Sequence, residues 1–270
     1  MGYRTKIVRD YFIAVRSPLD WPGCALLSLG ILLLGPGTRR KPWVGKILPR
    51  RLELYFKRFG STAVTLNPAN VTHHQILHEF VAKNAYDLAK VSFRPAHVID
   101  CGAHIGLFLR LCRAQFPEAR LTGFEPQESN FPFAVDVAPA DFLDMQKAAV
   151  GAANGTIVFD DDAGGGFGSV TVGTKPQKAG AHVVKLVSLP QVISDVGDVP
   201  LLLKIDIEGA ERELLPELVP VLPRRCALFL ETHHGEEGWA RAVELLTSRG
   251  FRAEKLRTFD LCVDGFFIRT

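Results

Sequence analysis

The amino-acid sequence predicts a doubly wound α/β fold, a mostly parallel sheet covered by helices on both faces. Three observations carry this expectation. From residue 97 onward, short apolar runs alternate with amphipathic stretches, as strands buried on both faces alternate with crossover helices. The run Val98-Ile99-Asp100-Cys101 passes into Gly102-Ala103-His104-Ile105-Gly106 and then into an apolar face of Ile105, Phe108, Leu109 and Cys112. That order reads as strand, tight turn and helix. The last two apolar runs are separated only by Thr258-Phe259-Asp260, so they should pair as an antiparallel hairpin at the end of the sheet.

Strands are expected near 97–101, 120–125, 143–150, 200–206, 226–232, 251–257 and 261–268, and helices near 104–115, 128–137, 209–219 and 237–249. Before them, Leu52-Glu53-Leu54-Tyr55-Phe56 and Ala63-Val64-Thr65-Leu66 flank Gly60-Ser61 and read as a short hairpin. Thr72 and Gln75 have the spacing of a capping box, and Leu77, Phe80, Val81 and Leu88 give the helix face that follows. His74 and His78 lie one turn apart on that helix. With no third ligand nearby, they are expected to face solvent rather than hold a metal. Between the third and fourth sheet strands, residues 156–193 form an insertion, read as a hairpin whose mobile tip lies over the pocket. The tip carries Asp160-Asp161-Asp162, read as a solvated turn, and Gly164-Gly165-Gly166-Phe167-Gly168-Ser169. Ser169 is its candidate substrate contact, and no metal site is expected.

With 270 residues, 47% of them hydrophobic, the chain can bury one large core. The expected division is a basic N-terminal extension over 1–51 and one domain over 52–270. Residues 1–60 hold 12 Lys/Arg and 3 Asp/Glu, a local charge of +9, while the remainder holds 20 and 26, a charge of −6. The basic character is thus separate from the nucleotide-binding part, and no nucleic-acid substrate is expected. Five cysteines without C-x-x-C spacing fit a reduced, cytoplasmic setting. The apolar run 24–34, followed by Arg39-Arg40-Lys41, is too short to cross a bilayer. Residues 24–41 could meet the inner face of a membrane peripherally, or the run could pack on its own domain or a partner chain.

Charge and spacing select the nucleotide. Asp100 stands where a dinucleotide fingerprint has its first glycine, and a carboxylate there would repel phosphates. S-adenosyl-L-methionine has a sulfonium, an ammonium and a ribose but no phosphate, so an acid beside a Gly-x-x-x-Gly turn suits it. Leu121-Thr122-Gly123-Phe124-Glu125-Pro126 supplies a second strand ending in a carboxylate, at the distance expected of a ribose acceptor. Leu201-Leu202-Leu203-Lys204-Ile205-Asp206-Ile207-Glu208-Gly209-Ala210-Glu211 is a buried strand breaking into an acidic turn. Asp206 and Glu208 are pocket candidates, while Glu211 suits the start of a helix.

VIDCGAHIG, FEP, LKIDIEGAE and FLETH, in that order, resemble the FkbM-type S-adenosylmethionine-dependent methyltransferases of class I. The resemblance runs from about Leu52 to Thr270. It implies a seven-stranded Rossmann-like sheet with an antiparallel terminal strand, and methyl transfer to a hydroxyl of a sugar, glycolipid or other small molecule. Asp100, Gly102, Ala103, His104 and Gly106 match the loop around the methionine part of the cofactor. Glu125 matches the ribose acceptor, and Asp206 with Glu208 matches the acidic motif beside the transferred methyl. His104 stands where many relatives have Asn. For a base that takes the acceptor's proton, His233 and Asp206 compete, with Glu231 orienting the acceptor or His233. A different class of function, an idle membrane-associated tether that keeps the fold, is disfavoured by intact glycines and acids. A nicotinamide-dependent oxidoreductase is disfavoured by Asp100.

Overall fold

The computed structural model describes residues 3–33, 44–160, 169–171 and 181–270. Its N-terminal part comprises α1 (Tyr3–Ala14), α2 (Trp21–Leu33), α3 (Val44–Ile47), an antiparallel pair β1 (Leu52–Leu54) and β2 (Val64–Leu66), and α4 (Val71–Ala82). Then follow β3 (His97–Cys101), α5 (Leu107–Gln115), β4 (Arg120–Phe124), α6 (Phe131–Ala134), β5 (Leu143–Gln146), β6 (Ala149–Gly151), β7 (Gly155–Asp160), β8 (Ser169–Thr171), β9 (Ala181–Ser188) and α7 (Leu189–Val196). The C-terminal part is β10 (Leu201–Ile205), α8 (Glu211–Leu218), β11 (Cys226–His233), α9 (Gly235–Thr247), β12 (Arg252–Phe259) and β13 (Cys262–Arg269).

The central sheet has seven strands in the order β12-β13-β11-β10-β3-β4-β5. Strands β3, β4, β5, β10 and β11 are mutually parallel, while β13 runs antiparallel between β11 and β12. The expected hairpin forms at the end of the sheet, with β12 at the edge and β13 between it and β11. Alternation along each strand sorts side chains between two cores. Val98, Leu121, Leu202 and Phe229 pack with α1, α2, α4 and α5 on one face, and Ile99, Leu201, Leu203 and Leu228 pack with α7, α8 and α9 on the other. Ile205 pairs with both Cys101 and Leu230. This register brings the ends of β3, β10 and β11 level, so the residues just beyond them face one crevice.

Four expectations are corrected. The run expected as one strand over 143–150 divides: β5 joins the central sheet, and β6 pairs parallel with β9 in a second sheet ordered β6-β9-β7-β8. Residues 156–193 are therefore the body of a four-stranded sheet plus α7, while Asp161, Asp162 and the glycine-rich tip up to Gly168 lie outside the described residues. The helix expected over 128–137 shortens to Phe131–Ala134. Its neighbourhood is instead fixed by Arg110 of α5, 1% exposed, which donates to Phe133 O at 2.8 Å and pairs with Asp136 at 2.6 Å. The cap of α4 is Asn70, whose side chain accepts from the Thr72 amide at 3.0 Å, rather than the expected Thr72.

The fourth correction concerns His74 and His78, which are buried rather than solvent-facing. His74 Nε2 donates to Pro68 O at 2.9 Å, Tyr11 Oη donates to His74 O at 3.0 Å, and His78 Nε2 lies 3.0 Å from Asp10 Oδ2. The reason is α1, which covers that face of α4. The apolar run of α2 also packs on its own domain: Cys24, Leu27 and Ile31 join the core that contains Ile7, Tyr11 and Val15 of the first helix and its end. All five cysteines are free, four of them buried.

Candidate functional site

The turn after β3 is built by backbone bonds and one carboxylate. The amides of Gly102 and Ala103 both donate to Phe124 O, at 3.0 and 2.9 Å. Gly102 has φ +81°, and a Cβ there would stand 2.0 Å from the Asp206 carbonyl oxygen, so only glycine lets the β3 and β10 ends meet. His104 adopts φ +51°, in the left-handed region that His and Asn tolerate better than most residues. Gly106, also left-handed, caps α5. Glu125 at the end of β4 closes the turn: Oε2 accepts from the His104 amide at 2.7 Å and Oε1 from the Gln127 amide at 2.9 Å. Burial raises its carboxyl to about 7, against the pull of these two donors. The His104 ring is held neutral, its pKa lowered to about 3 by burial, and packs edge-on against His73 at 5.4 Å.

Asp100 is fully buried, with Oδ1 3.2 Å from Lys204 Nζ. Burial raises its pKa, and the Lys204 charge offsets part of that rise. Neither of its carboxylate oxygens receives a well-directed hydrogen bond. Lys204, 4% exposed on the apolar strand β10, also donates to Gly102 O at 2.9 Å and lies 3.6 Å from Asp206 Oδ2. Burial works against its charge, but Asp100, Tyr86 and Asp206 hold it well above its ordinary range.

The other side of the site is acidic. His233, at the end of β11, turns Nδ1 to Glu211 Oε1 at 3.2 Å and Nε2 to Glu208 Oε2 at 3.4 Å and Glu231 Oε1 at 3.6 Å. Burial opposes its charge, yet these carboxylates raise its pKa to about 11. Glu211 is 2% exposed, and its Oε1 also accepts from the Ile207 and Gly209 amides at 3.1 and 3.3 Å. It therefore organises the whole acidic turn, beyond the helix-start role expected for it. Burial and the neighbouring Asp206 and Asp264 push Glu231 up to about 9, while Asp206, part-exposed at 24%, is raised to about 6. Ligating atoms of Asp206, Glu208 and His233 lie within 4.8 Å of one another, as do those of Glu231, His233 and Cys262. With both ring nitrogens turned to carboxylates and its pKa raised to about 11, His233 is a doubly donating cation near neutral pH.

One cavity joins these parts. It is lined by Asp100, Gly102, Ala103, His104, Glu125, Asp206, Glu208 and Glu231. Gly106 is not on its wall, and His233 lines a smaller cleft with Glu211 behind the acidic turn. Ser169 begins β8; its side chain is outside the described residues. Sequence reading missed Lys204, Tyr86 and Arg257, which also line the cavity. A lone lysine within Leu-Leu-Leu-Lys-Ile was the available signal, since a buried charge requires partners. Arg257 pairs with Asp264 and with Glu79 Oε2 at 3.3 Å, contacts no local pattern announces.

The family described as the methyltransferase FkbM domain matches residues 100–253. The chain belongs to this family. It is accordingly an S-adenosylmethionine-dependent methyltransferase, and the span matched contains every part of the turn and acidic motif described above. No curated protein matches the sequence. Among solved structures, it is similar to a precorrin-6y C5,15-methyltransferase from Geobacter metallireducens (14% identity, 68% of this chain and 86% of that one, TM-score 0.41). It is also similar to TYW2 of P. horikoshii in complex with MeSAdo (14% identity, 81% and 70%, TM-score 0.43). A third is a ribosomal protein L11 methylase from Lactobacillus delbrueckii (12% identity, 74% and 78%, TM-score 0.39).

The residues of this FkbM chain fit the cofactor. The buried Asp100 oxygens lack directed donors, which an ammonium or hydroxyl would supply. Glu125 uses one lone pair of each oxygen on the loop, leaving others for ribose hydroxyls.

Proposed function

We propose that this FkbM methyltransferase methylates a hydroxyl oxygen of a sugar, glycolipid or other small-molecule acceptor, with Asp206 taking the proton. The cofactor supplies an electrophilic methyl group on a positively charged sulfur, so most of the rate comes from holding the acceptor oxygen in line. The chain's remaining task is proton removal. One observation carries the reading: Asp206 stands part-exposed on the cavity wall, beside the Gly102 turn and 3.6 Å from the Lys204 ammonium, with its carboxyl raised by burial to about 6.

The other two candidates divide into supporting roles. His233, at about 11, is already protonated at neutral pH and holds Glu208 and Glu211 in place. Glu231, at about 9, keeps its proton and can donate to the acceptor oxygen. Asp100, Gly102, Ala103, His104, Gly106, Glu125 and Glu208 build the cofactor side, and the β8 segment containing Ser169 is the acceptor-side loop.

The test is methyl transfer from S-adenosylmethionine to a panel of hydroxyl, amine and carbon acceptors, with the methylated atom located in the product. Oxygen methylation is the expected result, and Asp206→Asn should lower kcat about 100-fold while S-adenosylhomocysteine affinity changes little. Methyl found on nitrogen or carbon, or full turnover by Asp206→Asn, overturns the proposal.

A further inference from the structure

The helix α2 contains no charged side chain over its 13 residues, Trp-Pro-Gly-Cys-Ala-Leu-Leu-Ser-Leu-Gly-Ile-Leu-Leu. One face is seated in the protein: Cys24 and Leu27 are fully buried, and Ile31 is 5% exposed. A Cβ at Gly30 would stand 2.0 Å from the Pro68 carbonyl oxygen, so the helix backbone lies directly against the chain that leads into α4. The opposite face is apolar and open to solvent. Trp21 is 53% exposed, Leu26 38%, Leu29 41% and Leu32 53%, with Ala25 also exposed. The positions 21, 25, 29 and 32 follow one side of a helix. Ile13, 62% exposed on the neighbouring α1, adds to the apolar surface.

Charge narrows what covers this face. Arg16 precedes the helix, and Arg39-Arg40-Lys41, Lys46, Arg50 and Arg51 follow it within the segment 1–60 of charge +9. Pairing two copies through α2 would bring two such segments together, and like charges across an interface oppose association. An anionic lipid surface satisfies both features, since apolar side chains enter the acyl boundary while flanking bases meet phosphates. The geometry is that of a helix lying in the surface. At 13 residues α2 is about 20 Å long, and among the described residues no helix is long and apolar enough to cross a membrane.

We propose that the outer face of α2 docks this protein on anionic bilayers, parallel to the membrane plane. The docked face is mechanically joined to the cavity. Helix α2 packs on α1, and α1 reaches α4 through Tyr11 on His74 and Asp10 on His78. Thr72, Gln75, Ile76 and Glu79 of α4 then wall the cavity. Membrane docking thus joins the lipid surface to one wall of the cavity through α1 and α4, whatever atom of the acceptor is methylated.

The experiment is co-sedimentation of the full chain with phosphatidylcholine vesicles and with vesicles that also contain phosphatidylglycerol, at low and high salt. Binding to the anionic vesicles alone, weakened by salt, is expected. The triple variant Leu26→Glu, Leu29→Glu, Leu32→Glu should bind at least about tenfold more weakly, while its S-adenosylhomocysteine affinity stays unchanged and so reports an intact fold. Replacing Arg39, Arg40 and Lys41 by Ser should reduce the salt dependence. Failure to bind anionic vesicles, equal binding to both kinds, or binding indifferent to the triple variant overturns the proposal. So does a dimer, by light scattering, that the triple variant converts to monomer, because the face is then covered by a second copy.

Discussion

Lys204 and Asp100 form an ion pair in which both partners are almost wholly buried, and such a pair is dangerous to halve. Removing one partner leaves an uncompensated charge, at a cost of about 3–5 kcal/mol. Lys204→Met is therefore expected to destabilise the protein by that amount in urea unfolding, and Lys204→Met with Asp100→Asn by clearly less. Glu125 gives a pH signature. Folding raises its carboxyl from 4.5 to about 7, chiefly by burial, so the folded chain holds a proton that the unfolded chain has lost. The stability this adds is complete below about 4.5 and disappears as pH rises through 7, by at most about 3 kcal/mol. Unfolding midpoints measured from pH 5 to 8 should fall, and Glu125→Gln should flatten the slope. Turnover has the opposite sense, because Asp206 accepts a proton only when ionised: kcat should rise up to about pH 6, where Asp206 titrates, and level off. At this scale Asp100, Glu125 and Asp206 were legible because each ends an apolar run beside a turn. Their protonation was not, since it arises from burial and from charges distant in sequence.

Among the elements, α4 departs most from its local pattern. His74 and His78 lie one turn apart on it and both are buried, although histidines on a short amphipathic helix favour solvent. What reverses the expectation is α1, whose Tyr11 donates to the His74 carbonyl. Tyr11→Phe should cost about 1 kcal/mol and speed amide exchange in α1 more than in β10. The division of 143–150 into β5 and β6 has a similar cause. Both pieces are apolar enough for strands, but β6 finds its partner in β9, 37 residues later in the chain, and leaves the central sheet to reach it. Periodicity identifies a strand without naming its neighbour.

For the molecule as a whole, residues before Leu52 belong to the core. Ile7, Tyr11, Val15, Cys24, Leu27 and Ile31 are each at most 5% exposed and pack in the cluster that also holds Val98 and Leu121 of the central sheet. Burying an apolar side chain contributes about 1.5–3 kcal/mol, so losing several exhausts the 5–15 kcal/mol typical of a domain. A chain beginning at Leu52 is expected to expose this face, bind hydrophobic dyes and lose cooperative thermal unfolding. Cooperative unfolding of that shortened chain, with undiminished S-adenosylhomocysteine binding, would contradict the shared core.

The sequence by itself determined the seven strands of the central sheet in chain order, the terminal hairpin and the acids and glycines at the strand ends. These follow from short-range sterics and from alternation of apolar side chains, which are written locally. Only the tertiary structure decided that Lys204 neutralises Asp100, that His233 is a clamped cation while Asp206 is left ionised, and that α1 and α2 close one face of the core. Those properties come from burial and from charges brought together across the sheet, so they exist only once the chain has folded.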